Sequence, residues 1–285
     1  MYKIGMSSCA FQLEEETFKK LAENKIDAIE FSEGLEGTNK LDYKKVYEYA
    51  KQYNINLWSF HLPFMPFDVI DISSTDAAIR KYTLDYYSEI IKKATDIGLD
   101  KFVVHPSGEP IPEEERAARM DASMDSLDKL AEIAHKNGAV IAVEDLPRTC
   151  LGNSADDVLK LISANDKLRV CFDTNHLLMD NNMNFMDKLG DKIVTVHISD
   201  YDFINERHWL PGEGKLDWKA MMAKFKEIGY NGVWMYEIGM RCPKTIIRDR
   251  NLDYADYYRN ANELFEGKEL TVIGKNIEGL GMYPD

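Results

Sequence analysis

One pattern constrains this chain more than any other. A short, continuously apolar run rich in β-branched residues is followed by a polar loop and a helical segment, and the unit recurs eight times. The runs fall at Lys3–Cys9, Ala28–Glu33, Asn56–His61, Lys101–His105, Val140–Glu144, Arg169–Asp173, Ile193–His197 and Val233–Glu237. Their first residues span positions 3 to 233, so the repeat averages about 33 residues, the length of one βα unit. Stretches such as Val140-Ile141-Ala142-Val143 do not alternate with polar residues. That suits parallel strands covered on both faces.

The intervening segments carry helical periodicity. Trp218, Met221, Met222, Phe225 and Ile228 share one face behind Asp217, an N-cap residue. Ser154-x-x-Asp157 has the form of a capping box before Val158, Leu161 and Ile162. Ile90, Ala94 and Ile97 close a long helix at Gly98, and Glu113–Glu115 suit the start of another. No linker interrupts the series. The pattern predicts an α/β fold: a single (β/α)8 TIM barrel over residues 1–285, with the barrel ending near 267 and residues 268–285 packed outside it as a tail. An open doubly wound sheet is the alternative, but no G-x-G-x-x-G follows any strand.

The strand ends carry the chemistry. Glu30 and Glu33, His61, His105, Glu144, Asp173 with His176, His197 and Glu237 stand at or just beyond the carboxyl ends of strands two to eight. In a barrel those ends converge on one mouth. Glu144, Asp173, His197 and Glu237 each close an apolar run on a different strand. Three carboxylates crowded there repel one another unless a cation is shared or each finds a barrel Arg or Lys. Three oxygens and one nitrogen suit one divalent ion, Mn²⁺, Mg²⁺, Co²⁺ or Zn²⁺, with further ions an open alternative. His61, His105, His176 and the loop residues Glu206, Arg207 and His208 are candidate substrate contacts, with the loop expected to close over the substrate. Glu30 and Glu33 are candidates to support the ligands from behind, whereas His135 reads as an ordinary helix residue.

The charge limits the partners. With 35 Lys+Arg against 49 Asp+Glu the net charge is −14, which disfavours nucleic acid and anionic membrane surfaces. No run reaches the roughly 18 apolar residues of a membrane helix. The first residues lack the pattern of a secretion signal. Cys9, Cys150, Cys171 and Cys242 are scattered, as expected for reduced, mostly buried thiols of a cytoplasmic protein.

At this point the sequence resembles the xylose-isomerase-like barrel superfamily, which holds sugar and sugar phosphate isomerases and epimerases together with endonuclease IV. The resemblance lies in Val143-Glu144-Asp145, Cys171-Phe172-Asp173-Thr174-Asn175-His176, Val196-His197-Ile198-Ser199-Asp200, Pro211-Gly212-Glu213-Gly214-Lys215-Leu216-Asp217-Trp218 and Tyr236-Glu237, and spans roughly residues 1–265. It implies that Glu144, Asp173, His197 and Glu237 hold one divalent metal, and that Glu144 and Glu237 are also the acid/base pair. The implied reaction is isomerisation or epimerisation of a small carbohydrate through an enediolate, and because related barrels often pair, the resemblance also implies a homo-oligomer. A dehydratase or lyase and a non-catalytic sugar-binding barrel are the other carbohydrate readings. A nuclease reading also stands: His61, His105, Glu144, Asp173, His176, His197, Glu206, His208 and Glu237 match the nine ligand positions of endonuclease IV, with Glu206 where that family has Asp.

Overall fold

The computed structural model describes residues 2–277 and 279–282. Met1, Glu278 and residues 283–285, which the expected 1–285 domain and its tail include, lie outside the described residues. The strands are β1 (Lys3–Ser7), β2 (Ala28–Ser32), β3 (Asn56–His61), β4 (Lys101–Val104), β5 (Val140–Glu144), β6 (Arg169–Asp173), β7 (Ile193–His197), β8 (Val233–Tyr236), β9 (Ile246–Ile247) and β10 (Lys275–Asn276). The helices are α1 (Glu15–Glu23), α2 (Leu35–Asn39), α3 (Tyr43–Tyr53), α4 (Ala77–Thr95), α5 (Glu113–Lys136), α6 (Ala155–Ile162), α7 (Asn182–Leu189), α8 (Trp218–Glu227) and α9 (Tyr254–Phe265).

Strands β1 to β8 form one parallel sheet in the order β7-β6-β5-β4-β3-β2-β1-β8. It is nearly closed: Ile198 N–H donates to the Met235 carbonyl at 2.8 Å and Glu237 N–H to the Ile198 carbonyl at 3.3 Å across the β7–β8 seam. This is a single (β/α)8 TIM barrel, as the repeat predicts.

Strand alternation explains the continuous apolar runs. Ile141 and Val143, Val170 and Phe172, and Trp234 and Tyr236 face outward into the main core against the helices. Val103, Ala142 and Cys171 pack in a small group inside the barrel, and Ala28, Val233 and Met235 in another. One strand step above this thin apolar floor come Glu30, His61, Glu144, Asp173 and His197, all buried. Ligand-type side chains are therefore layered on the barrel's own packing.

The caps follow their side chains. Asp217 accepts the Ala220 N–H at 3.0 Å. Ser154 accepts the Asp157 N–H at 3.3 Å, but Asp157 does not complete the box. Its carboxylate binds Arg116 and the Gly152 N–H instead. Helix α9 has the full box between Asp253 and Asp256. Burial works to raise the Asp256 carboxyl, but Arg250, the Asp253 N–H and Arg259 outweigh it and hold it below the usual range. A depressed native value adds stability above the unfolded value of about 3.9 and loses it as the pH falls through the native one. Asp256→Asn is expected to cost about 1–2 kcal/mol near neutral pH. In urea unfolding at a series of pH values, the gap to the parent should close below about pH 4.

Beyond α9 the chain runs along the outside of the barrel. Strand β10 pairs antiparallel with β9, the Gly274 N–H reaches Glu213 at 2.6 Å, and the Gly281 carbonyl accepts Arg207 Nη2 at 2.8 Å. No helix among the described residues is long and apolar enough to cross a membrane.

Candidate metal centre

The mouth of the barrel brings the strand-end residues together. One ligand atom each from Glu144, Asp173, His197 and Glu237 lie within 4.8 Å of one another. Four further groups meet the same test: His61, His105 and Glu144; His61, His197 and Glu237; Glu144, Cys171 and His197; and His176, Glu206 and His208. The carboxylates of Glu144, Asp173 and Glu237 meet no Lys or Arg among the described residues; their ion contacts are all to imidazoles.

Hydrogen bonding sets which ring nitrogen faces inward. A carbonyl can only accept, so His61 Nδ1 donates to the Leu62 carbonyl at 3.0 Å, His176 Nδ1 to the Asp145 carbonyl at 2.9 Å and His208 Nδ1 to the Glu237 carbonyl at 3.1 Å. Their Nε2 atoms are left for the site. His61 Nε2 lies 3.1 Å from Glu144 Oε2, and His176 Nε2 lies 3.2 Å from Glu206. A nitrogen whose ring has already donated its proton elsewhere confronts an oxygen that can only accept. Either a second proton or a metal cation must resolve that contact.

His197 is turned the other way. Its Nδ1 faces Glu144 Oε1 at 2.8 Å and Glu237 Oε2 at 3.4 Å. Its Nε2 lies 2.9 Å from Glu30 Oε1, close but poorly aligned for a hydrogen bond. Glu30 is itself held by Ser59 Oγ at 2.7 Å, so it backs the ring from behind. Glu33 instead accepts from Ser8 Oγ at 3.0 Å.

Asp173 is hydrogen-bonded through one oxygen only. Its Oδ1 accepts the Asn175 N–H at 2.7 Å, whereas its buried Oδ2 has no hydrogen-bond donor. That oxygen lies 3.5 Å from His176 Nε2 and 3.9 Å from His197 Nδ1, neither forming a hydrogen bond to it. Three oxygens and one nitrogen with an orphaned buried oxygen fit a divalent ion.

Electrostatics divide the carboxyls. Burial would raise Glu144, but His197 and His105 hold it well below the usual range. Glu237 is likewise held low by His197 against its burial. Burial, with Glu237 beside it, pushes Asp173 up to about 6. Burial and the adjacent Asp173 push Asp145 well above the ordinary range. Among the histidines, burial lowers His105. In His61 the same burial is outweighed by Glu144 and other carboxylates, which push it up to about 9.

The cavity above is 440 Å³ and is lined in part by His61, His105, His176, Glu206, His208 and Glu237. Glu144 is not on its wall: both its oxygens face imidazoles one layer down. Arg207 is also off the wall. Its Nε donates to Asp202 at 2.9 Å and its Nη2 to Gly281, so it braces the loop. The loop itself is pinned. Asp200 and Trp209 exchange backbone hydrogen bonds at 2.8 and 3.0 Å, and Asn175 Oδ1 accepts from the N–H groups of both Arg207 and His208. Of the thiols expected to be mostly buried, Cys150 and Cys171 are, whereas Cys9 is exposed and opens onto this cavity.

Several wall residues carry no sequence signal of their own. Phe64 stacks on His105 with centroids 4.0 Å apart. Phe67 lies where a side chain at Gly108 would collide with it. Arg148 and Glu109 meet at the rim. A larger cavity of 1420 Å³, lined among others by Tyr2, Trp58, Trp218 and Leu270, contains none of the ligand groups.

Comparison with known proteins places this geometry among relatives. A family profile described as Xylose isomerase-like TIM barrel matches residues 18–261. An uncharacterised protein of Methanocaldococcus jannaschii is 29% identical over 81% of this chain and 82% of its own length. The crystal structure of a D-tagatose 3-epimerase-like protein superposes with a TM-score of 0.79 at 25% identity, over 93% of this chain and 97% of that one. A protein of Thermoplasma acidophilum described as "Probable endonuclease 4" is 25% identical over 59% of this chain and 62% of its own.

Proposed function

We propose that this chain, which belongs to the xylose isomerase-like TIM-barrel family, is a divalent-metal-dependent sugar isomerase or epimerase. The observation that carries the reading is the orphaned Asp173 Oδ2 inside the group formed with Glu144, His197 and Glu237. Those four residues would hold the ion. When bound, it supplies Lewis-acid polarisation of a sugar carbonyl.

The protein's own residues handle the protons. Glu237 stands on the cavity wall and is held ionised by His197. Its carboxylate takes the proton from the carbon beside the carbonyl, leaving an enediolate. Glu144 is the second member of the pair. Its Oε2 faces the Nε2 atoms of His61 and His105. His61, charged at Nε2, carries the proton between Glu144 and the substrate. Return to the same carbon from the opposite face is epimerisation, and return to the neighbouring carbon is isomerisation. Dehydration would share the first step. His176, Glu206 and His208 hold substrate hydroxyls, while Phe64 and Phe67 close the wall against water.

Two measurements test the reading. Crystals grown with Mn²⁺ should give an anomalous peak among Glu144, Asp173, His197 and Glu237, and no peak there rejects the metal assignment. A panel of ketoses and aldoses in heavy water should show deuterium entering one sugar at the carbon next to the carbonyl. No incorporation across the panel rejects enolisation.

A second reading is favoured by one observation: three of the overlapping ligand groups at the mouth together take in all nine ligand-type residues. A multi-metal phosphodiesterase would use such a set. Metal analysis and incubation with abasic duplex DNA separate the two. One ion per chain with intact DNA favours the sugar reading, and three ions with strand cleavage favour the nuclease.

A further inference from the structure

Resting on the sugar reading above, we propose that Glu109, Arg148 and Glu206 form a charge gate at the rim that selects an unphosphorylated sugar, with Glu109 as its specificity-determining residue. The three come from the loops after β4, β5 and β7. Arg148 is the one Lys or Arg among the described residues lining the cavity. It would be the natural partner for a phosphate, but its guanidinium is already engaged. Nε donates to Glu109 Oε2 at 2.9 Å and Nη2 to Glu109 Oε1, a two-point fork. Nη1 donates to Asn205 Oδ1 at 2.7 Å and lies 2.9 Å from Glu206 Oε1.

The backbone is committed to this arrangement. Arg148 sits at φ 55°, a left-handed conformation disfavoured for a non-glycine residue, and its carbonyl is held by Asn153 Nδ2 at 2.7 Å. Neighbouring helix starts give a phosphate no alternative. The first turn of α5 is Glu113-Glu114-Glu115, and the first N–H of α6 is taken by Asp180 at 2.9 Å. Both carboxylates are drawn in around the one guanidinium, and the far oxygen of Glu206 faces His176 Nε2 at 3.2 Å, so no unengaged cation is offered at the rim. A phosphate dianion would meet like charge there, while a neutral hydroxyl can donate to either carboxylate.

The test pairs each free ketose with its phosphate ester, D-fructose and its 6-phosphate first, in the heavy-water exchange assay. A separate titration follows inorganic phosphate by ³¹P line broadening. In the parent, the free member of an exchanging pair should exceed the ester in kcat/KM by about tenfold or more, the scale of one lost charge-assisted hydrogen bond. In Glu109→Gln that ratio should fall about tenfold, and inorganic phosphate should bind about tenfold more tightly than to the parent. The gain should vanish in the double variant Glu109→Gln/Arg148→Met, which separates binding at Arg148 from binding to any metal. Glu109→Ala serves if the glutamine variant fails to fold by circular dichroism. Esters exchanged as fast as free sugars by the parent would overturn the gate. So would phosphate affinity that is the same in parent and variant. If no pair exchanges at all, the sugar reading falls, and the phosphate titration still decides whether Glu109 masks Arg148.

Discussion

Glu144→Gln is expected to lower deuterium incorporation into the substrate by about three to four orders of magnitude, with a far smaller change in sugar affinity. The size follows from how many contacts converge on one side chain. Glu144 belongs to three of the ligand groups. His197, His61 and His105 lie 2.8, 3.1 and 3.2 Å from its oxygens. Its negative charge keeps His61 protonated against complete burial. An amide of the same shape preserves packing but presents an NH2 to one or more of those imidazoles. It removes the charge that would hold both a cation and the His61 proton. The variant should therefore lose Mn²⁺ affinity as well as kcat, measured by equilibrium dialysis and by heavy-water exchange on the same preparation. A kcat within a few-fold of the parent would remove Glu144 from the chemistry and leave Glu237 acting alone.

The same residue marks how far the sequence could be read. That Glu144 ends strand five and reaches the mouth follows from alternation in a barrel, because the side-chain direction of a strand residue is fixed by its position. Strands β3, β5, β6 and β7 begin and end where the apolar runs do. That Glu144 lies beneath His61 and His105, while Glu237 stands on the wall, does not follow, since depth depends on the heights of neighbouring strand ends. Loops carry even less. The pattern Glu206-Arg207-His208 predicts three side chains facing the substrate, but Arg207 turns away to Asp202 and the Gly281 carbonyl. No periodicity relates one loop residue's direction to the next. The pairing of Arg148 with Glu109 is illegible in the sequence for the same reason: they are 39 residues apart, on loops with no repeating pattern, and only the closed barrel makes them neighbours.

The segment Pro211-Gly212-Glu213-Gly214-Lys215-Leu216-Asp217-Trp218 has a physical role that the fold makes plain, and it predicts a large effect on stability. The segment wraps around the buried carboxylate of Asp200. Oδ1 accepts the N–H groups of Tyr201 and Leu216 at 2.8 and 3.2 Å, and Oδ2 accepts the Gly212 N–H and Trp218 Nε1, each at 2.8 Å. Asp200 also exchanges backbone hydrogen bonds with Trp209, so one side chain fixes both the loop bearing Glu206 and His208 and the start of α8. Removing it strands four donors away from water. Asp200→Ala is expected to cost about 3–5 kcal/mol, the range for breaking a buried charged network. Gly214→Ala tests the same knot from the other side, because a Cβ there would fall 2.1 Å from Asp200 Oδ1 and 2.4 Å from the Tyr201 carbonyl. Neither atom is the end of a flexible side chain free to move, so the backbone must shift. Urea unfolding should show both variants far below the parent. The double variant should lose much less than the sum, because the two changes break one shared contact set. Additive losses would mean that the glycine and the carboxylate serve the fold separately.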